Sequence, residues 1–345
     1  MADSARANEA LATIHHAYFL GMQLMITTTL GAKVAGEWTF RLFRRQHKQY
    51  FLKSFEKLGL DNLPHAIACA KYHVLSNSIG GVAVEYAEES PTKAWVRFRY
   101  PRWMFAGPTL CGVTQESSRG FLEGWYAYNG VSLNNPKLGF VCVSEDMTGE
   151  FGFCGYFKEY DHELADGERL QFARGELPPQ FDPEIQPQPP SDRWDSKRLA
   201  HANRNYSLAY VKNGIQTLQE MLGPEEAKTL ASRAARLIGL QYFPEIASLL
   251  DIPDGNYAQS AKFLTTVFSA MGDTNDMTLD HDNNSAVVTH QPLSILSGVD
   301  EEFVTVLIHC WCELWVGAIH SHRTMKSVAF EYRDNNIEWS IKDRL

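Results

Sequence analysis

Residues 82–101 read VAVEYAEESPTKAWVRFRYP, and residues 275–292 read NDMTLDHDNNSAVVTHQP. In each stretch, apolar and polar residues alternate with period two on either side of a short turn, Glu89-Ser90-Pro91-Thr92 in the first and Asp282-Asn283-Asn284 in the second. That is the pattern of an antiparallel hairpin with one buried face. A further hairpin is expected after each: LGFVCVSEDMTGEFGFCGYF (138–157), turning at Asp146 to Gly149, and SVAFEYRDNNIEWSIKD (327–343), turning at Asp334-Asn335-Asn336.

Helical spacing surrounds these hairpins. Apolar positions recur at helical period over 6–29 and 36–57, with Leu30-Gly31 as a stop between them, and again over 64–79 and 117–129. In the C-terminal half, helices near 203–221 and 224–238 are parted by Gly223-Pro224-Glu225-Glu226, a stop followed by a favoured proline and an acidic first turn. Residues 303–323, FVTVLIHCWCELWVGAIHSHR, read as a further helix.

The two halves also align with each other. At an offset of 192, Tyr18 meets Tyr210, Leu30-Gly31 meets Leu222-Gly223, Arg44 meets Arg236 and Gln49-Tyr50-Phe51 meets Gln241-Tyr242-Phe243. One residue is then lost, and at 191 Ala70-Lys71 meets Ala261-Lys262, Gly81 meets Gly272, Glu85 meets Asp276 and Pro101 meets Pro292. The fold expected is therefore α+β: an internal duplication of a helix and β-hairpin unit, with antiparallel sheets packed against helices. Residues 1–160 are the first repeat and 201–345 the second. Residues 161–200 are a crossover whose prolines at 178, 179, 183, 187, 189 and 190 prevent helix and central strand. Phe181 and Ile185 within it favour an arm lying on the surface over a free linker.

Composition removes several classes of function. The formal charge of -9 repels polyphosphate, and Arg41, Arg44, Arg45 and Lys48 read as the outer face of an amphipathic helix, so no nucleic-acid partner is expected. The first thirty residues have no basic leader, and their apolar run is broken by His15, His16 and Gln23, so no membrane span is expected there. Six cysteines without a CxxC pair suit free thiols in the cytoplasm. P-loop, GxGxxG, GxSxG and HExxH signatures are missing, and no nucleotide or other cofactor is expected.

Candidate chemistry concentrates in three places. On the helix at 303–323, His309, Glu313 and His320 fall within about 40° of one another around the axis, forming a polar stripe shared with Thr305, Cys312 and Val316. Two imidazoles and a carboxylate suit acid-base work. A divalent metal is the alternative, and it would need ligands from elsewhere, since His309 and His320 are about 16 Å apart along the axis. Asp276 and His290 of the second hairpin region add a carboxylate and an imidazole to this set. In the first half, Trp95, Arg97 and Arg99 alternate on one strand face and Trp125 and Tyr126 follow on the next helix, an arrangement that suits an aromatic or carboxylated ligand.

In its helices, its Leu-Gly junction and its terminal hairpin around Asp146 or Asp334, each half resembles the L-2-amino-thiazoline-4-carboxylate hydrolase-like group, here in tandem. That resemblance implies a cytosolic enzyme acting on a small organic acid without a nucleotide cofactor, and no site residue is carried over from it. The expectation is thus a cofactor-independent lyase or hydrolase for a small aromatic or carboxylated molecule, with His309, Glu313, His290 and Asp276 as acid-base groups. Arg97, Arg99, Trp95, Trp125, Tyr126 and His320 would be the binding wall. A non-catalytic small-molecule binding or sensing protein is the rival reading, and a homodimer stays open.

Overall fold

The computed structural model describes residues 4–99, 106–148, 150–189, 195–291 and 293–344. Pro101, Gly149, Pro190 and Pro292, used above for the repeat, a turn and the arm, lie outside the described residues. The chain begins with helices α1 (Ser4–Leu30), α2 (Ala32–Lys57) and α3 (His65–Ile79). Strands β1 (Val84–Ser90) and β2 (Lys93–Phe98) follow, then α4 (Gln115–Gly124), a short α5 (Asn129–Ser132), β3 (Leu138–Ser144), β4 (Cys154–Glu159) and β5 (Leu170–Phe172). Beyond the proline-rich stretch come α6 (Ser196–Leu222), α7 (Pro224–Leu249), α8 (Tyr257–Met271), β6 (Thr274–Asp280), β7 (Ser285–Gln291), α9 (Glu301–His320), β8 (Lys326–Arg333) and β9 (Asn336–Asp343). Antiparallel hairpins packed on helices make this an α+β fold.

The same layout occurs twice. Helices α1 and α6 have 27 residues each, α2 and α7 have 26, and α3 and α8 have 15. Their first residues, Ser4 and Ser196, Ala32 and Pro224, His65 and Tyr257, all stand 192 apart. Gly31 and Gly223 precede α2 and α7 with φ of +90° and +83°, a backbone conformation that glycine adopts at least cost. The strand orders correspond as well: β1-β2-β4-β3 in one sheet and β6-β7-β9-β8 in the other.

Two differences from the expected layout have physical causes. The first sheet gains β5, drawn from the stretch read as crossover arm, which pairs in parallel with β3 from Phe140 to Cys142. Helix α7 runs to Leu249, through Pro244, instead of stopping near 238. Proline removes one ladder bond, but Phe243, Ile246 and Ala247 continue the buried stripe beyond 238, and packing overrides the local penalty.

The chain forms two compact units: residues 26–199 form one, and residues 1–25 with 200–345 form the other. In the second of these, the start of α1 is bound to α7 and α9. Tyr18 donates to Ala231 O (3.1 Å), Trp311 Nε1 donates to His15 Nε2 (3.2 Å), and Arg6 reaches Ser248 O (3.1 Å). Helices α7 and α9 cross closely, because a Cβ at Gly239 would stand 2.0 Å from Leu314 O and one at Gly317 2.2 Å from Arg236 O. The sheet beside them alternates as the sequence dictates. Ala286, Val288, His290, Ile337, Trp339 and Ile341 are buried, while Val287, Glu338 and Ser340 are exposed. By length and composition α9 could cross a membrane (mean hydropathy 1.4), yet 78% of that window is buried inside the protein, as in a core helix.

In unit 26–199 both sheet faces are covered. One packs on α3, and the other gathers Ala87, Trp95, Val141, Val143, Cys154 and Tyr156 beneath Phe151, Ala173 and Phe181. Phe181 seals the cluster, and the Gln186 side chain takes up both Tyr86 N (2.7 Å) and Tyr86 O (3.0 Å) along edge strand β1. Ile185 stays exposed.

Candidate functional site

The expected acid-base set is not assembled. Asn275 pairs with His290 and Asp276 with Thr289, so neighbouring residues of β6 point to opposite faces and Asp276 lies across the sheet from His290. Asp276 is exposed on an edge strand. His290 is a core residue, stacked 3.8 Å from Phe268 and accepting from Trp339 Nε1 at 3.3 Å; burial pushes its pKa down to about 3. It is therefore neutral at pH 7 and makes no contact with solvent.

Of the four groups, His309 and Glu313 do come together, with Nε2 and Oε1 4.0 Å apart. Glu313 is buried and takes Arg236 Nε at 2.6 Å. His309 is half-buried over Phe330, and burial, helped by Lys228, lowers its pKa against the opposing pull of Glu313. His320 is exposed at the end of α9. Within the expected polar stripe Cys312 and Val316 are buried, while Thr305 is exposed.

The expected aromatic and arginine wall is split in two. Trp95 and Arg97 do share one face of β2, but that face lies under the arm, and Arg99 follows just beyond the strand, exposed. Trp95 Nε1 is spent on Glu89 (2.7 Å), Arg97 Nε on Glu85 (2.7 Å) with its guanidinium 4.8 Å from the Phe181 ring centre, and Arg99 on Glu85 (3.1 Å). Tyr126 sits on the helix side instead, packed on Phe140 and Phe157.

What the structure does bring together is a polar core at a broken helix. In the second half α9 continues for 20 residues, whereas in the first half α4 stops after ten, at Gly124. Trp125 leaves helical register (φ -113°, ψ -63°), residues 126–128 make a tight 3₁₀ turn, and α5 begins at Asn129. Such interruptions mark functional positions more often than regular helix does. This one carries Asn129, fully buried, between two histidines of other helices.

The hydrogen bonds there run in one direction. Arg44 Nη1 donates to His47 Nδ1 at 2.9 Å, since a guanidinium can only donate. His47 must then carry its proton on Nε2 and donate to Asn129 Oδ1 (3.1 Å), and Asn129 Nδ2 donates to His73 Nε2 (3.0 Å). Burial and the Arg44 charge push the His47 pKa down to about 3, and burial holds His73 well below its usual range. Both imidazoles are therefore neutral at pH 7. Cys69 touches Asn129 from α3, and burial pushes its thiol far up, so it is no nucleophile.

Aromatic rings surround this chain. His47 stacks on Phe51 (4.6 Å) and meets Trp125 edge-on (5.4 Å), while His73 stacks on Tyr126 (4.0 Å). Arg44, at the outer end, lies 3.7 Å over the Tyr128 ring centre. Of the basic run read as an outer helix face, Arg41 is solvent-exposed as expected but Arg44 is half-buried and faces inward to the site. The sequence did hold a signal for this core: His47 stands between Phe43 and Phe51 at spacing four, inside the apolar stripe, where a polar residue needs a partner. Among the described residues no group of three or more His, Cys, Asp or Glu is placed to hold a metal ion.

No family model matches this chain, and neither does any curated protein sequence or solved structure.

Proposed function

We propose that the chain binds a small aromatic or carboxylated molecule at the broken helix of unit 26–199, as a cytoplasmic binding or sensing protein. The supporting observation is the directed chain Arg44–His47–Asn129–His73 inside an aromatic shell. It is a preorganised polar line in apolar surroundings, the composition by which small-molecule sites fix orientation. The protonation states favour binding over chemistry, because His47, pushed down to about 3, and His73, held by burial well below the usual imidazole range, are weak bases at pH 7, and a thiol held far above its usual range does not attack. The reading calls on no cofactor.

Denaturant unfolding with and without a panel of small aromatic acids and amides tests it. A binder at a hundredfold excess over its Kd adds about 2.7 kcal/mol, and Asn129→Leu should abolish the gain. If no compound stabilises the protein and native mass spectrometry finds no co-purified small molecule, the reading falls.

A second reading, cofactor-independent acid-base catalysis by a lyase or hydrolase, is favoured by one observation: the half-exposed His309 beside the Arg236-anchored Glu313. There His309→Ala should lower turnover of a substrate found by product detection about a hundredfold or more.

A further inference from the structure

The edge of a sheet presents a row of N–H and C=O groups to any strand that comes beside it, and proteins protect such edges. Four strands of this fold are edges: β1, β5, β6 and β8. On β1, Gln186 takes up the N–H and C=O of Tyr86. Strand β5 has only three residues, and β6 carries Asp276 and Asp280, which repel a like strand. Strand β8 has none of these protections. It is eight residues long, KSVAFEYR, without proline, and its Lys326 buries its ammonium against Gly255 O (2.7 Å). Glu331 and Arg333 pair with each other, so the exposed side of the strand carries no net charge.

The turn after β8 sets which groups face outward. Asp334 and Asn335 both have positive φ, 48° and 60°, as in the two-residue hairpin turn whose flanking residues, here Arg333 and Asn336, exchange both backbone hydrogen bonds. Alternation then points the N–H and C=O of Val328, Phe330 and Tyr332 away from β9. Among the described residues no strand or side chain bonds to them. Their side chains lack a neighbour too: all three are half-buried, whereas Ile337, Trp339 and Ile341 on the same face of β9 are buried. The first sheet shows what completes such an edge. There β3, which holds the place of β8 in the strand order, is joined by β5, and all seven of its residues are buried.

We infer that β8 pairs antiparallel with β8 of a second copy of this chain, about a two-fold axis at Phe330, giving one sheet with four strands from each copy. The occupant follows from the match of the strand to itself. With Phe330 opposite its own copy, Val328 falls opposite the second copy's Tyr332, Ala329 opposite Glu331 and Ser327 opposite Arg333. Each of the three half-buried residues then meets an apolar partner, and no like charges face each other. Sliding one copy by two residues sets either Tyr332 against Lys326 or Glu331 against Glu331.

Sedimentation velocity of the full chain from about 1 to about 200 μM should show dimer replacing monomer. Residue-resolved hydrogen exchange should show the amides of Val328, Phe330 and Tyr332 slowing at least about tenfold as the dimer forms. Those of Ser327, Ala329 and Glu331, already bonded within the hairpin, should not change. Phe330→Lys and Phe330→Glu should each sediment as monomers, and their equimolar mixture should dimerise again. Val328→Pro removes only an N–H that points out of the sheet, and it too should be monomeric. A chain that stays monomeric over the whole range overturns the inference. So does a dimer that leaves the three outward amides unprotected or survives Phe330→Lys, and so does a different protein found on that edge. Should the variants fail to fold, the alternating protection in the native chain decides the matter.

Discussion

Replacing Asn129 by leucine isolates the chain on which the functional reading depends. The two side chains have similar volume, so the change opens little cavity. It removes both hydrogen bonds, at 3.1 and 3.0 Å, and leaves His47 Nε2–H and His73 Nε2 without partners in a shell sealed by Phe51, Trp125 and Tyr126. Each orphaned group costs about 1–3 kcal/mol, so the loss should be about 2–6 kcal/mol. With a urea slope of about 2 kcal/mol/M, a loss of 4 lowers the midpoint by about 2 M. Tryptophan fluorescence follows the unfolding, and hydrogen exchange of the α2, α3 and α5 amides assigns the change to unit 26–199. Made instead on a His47→Phe, His73→Leu background, the same substitution should cost far less, because the groups it would strand are gone. A midpoint shift below about 0.3 M, or losses that simply add, would refute the directed chain.

Three further outcomes are expected. Gly317→Ala forces a methyl against Arg236 O, 2.2 Å from the ideal Cβ, and should destabilise the folded state by about 3 kcal/mol while hydrogen exchange in unit 26–199 stays unchanged. Stability should fall with acid. His15, His47, His290 and His322 have folded pKa values of about 4, 3, 3 and 4, below an unfolded value of 6.5, so the unfolded state binds more protons. Their contribution is complete above pH 6.5 and declines as pH drops toward 4, by about 1.4 kcal/mol per histidine per pH unit, and urea midpoints of single His→Phe variants should show a shallower slope. Asp276→Ala should change stability by less than about 0.5 kcal/mol, whereas His290→Leu, which orphans Trp339 Nε1, should cost about 1–3 kcal/mol; the opposite order in thermal unfolding would contradict the sheet register.

The amino-acid sequence by itself determined the α+β class and most of the periodic elements and hairpin turns, because each depends on neighbours within a few positions: alternation for strands, 3.6-residue spacing for helices, glycine at Gly31 and Gly223 for a positive φ. It also placed His309 and Glu313 on one helix face. Only the tertiary structure decided which polar residues meet. Asp276 and His290 are fourteen positions apart and on opposite faces, a consequence of the hairpin register that a one-residue slip would have reversed. Trp95 and Tyr126 were separated by the sheet between them, and the arm, not a ligand, occupies the face with Arg97. The core of His47, His73 and Asn129 joins three helices across gaps of 56 and 82 residues. No local pattern encodes such a meeting. It follows from one helix breaking at Gly124 where its counterpart runs on, and from buried polar groups needing partners wherever the packing places them.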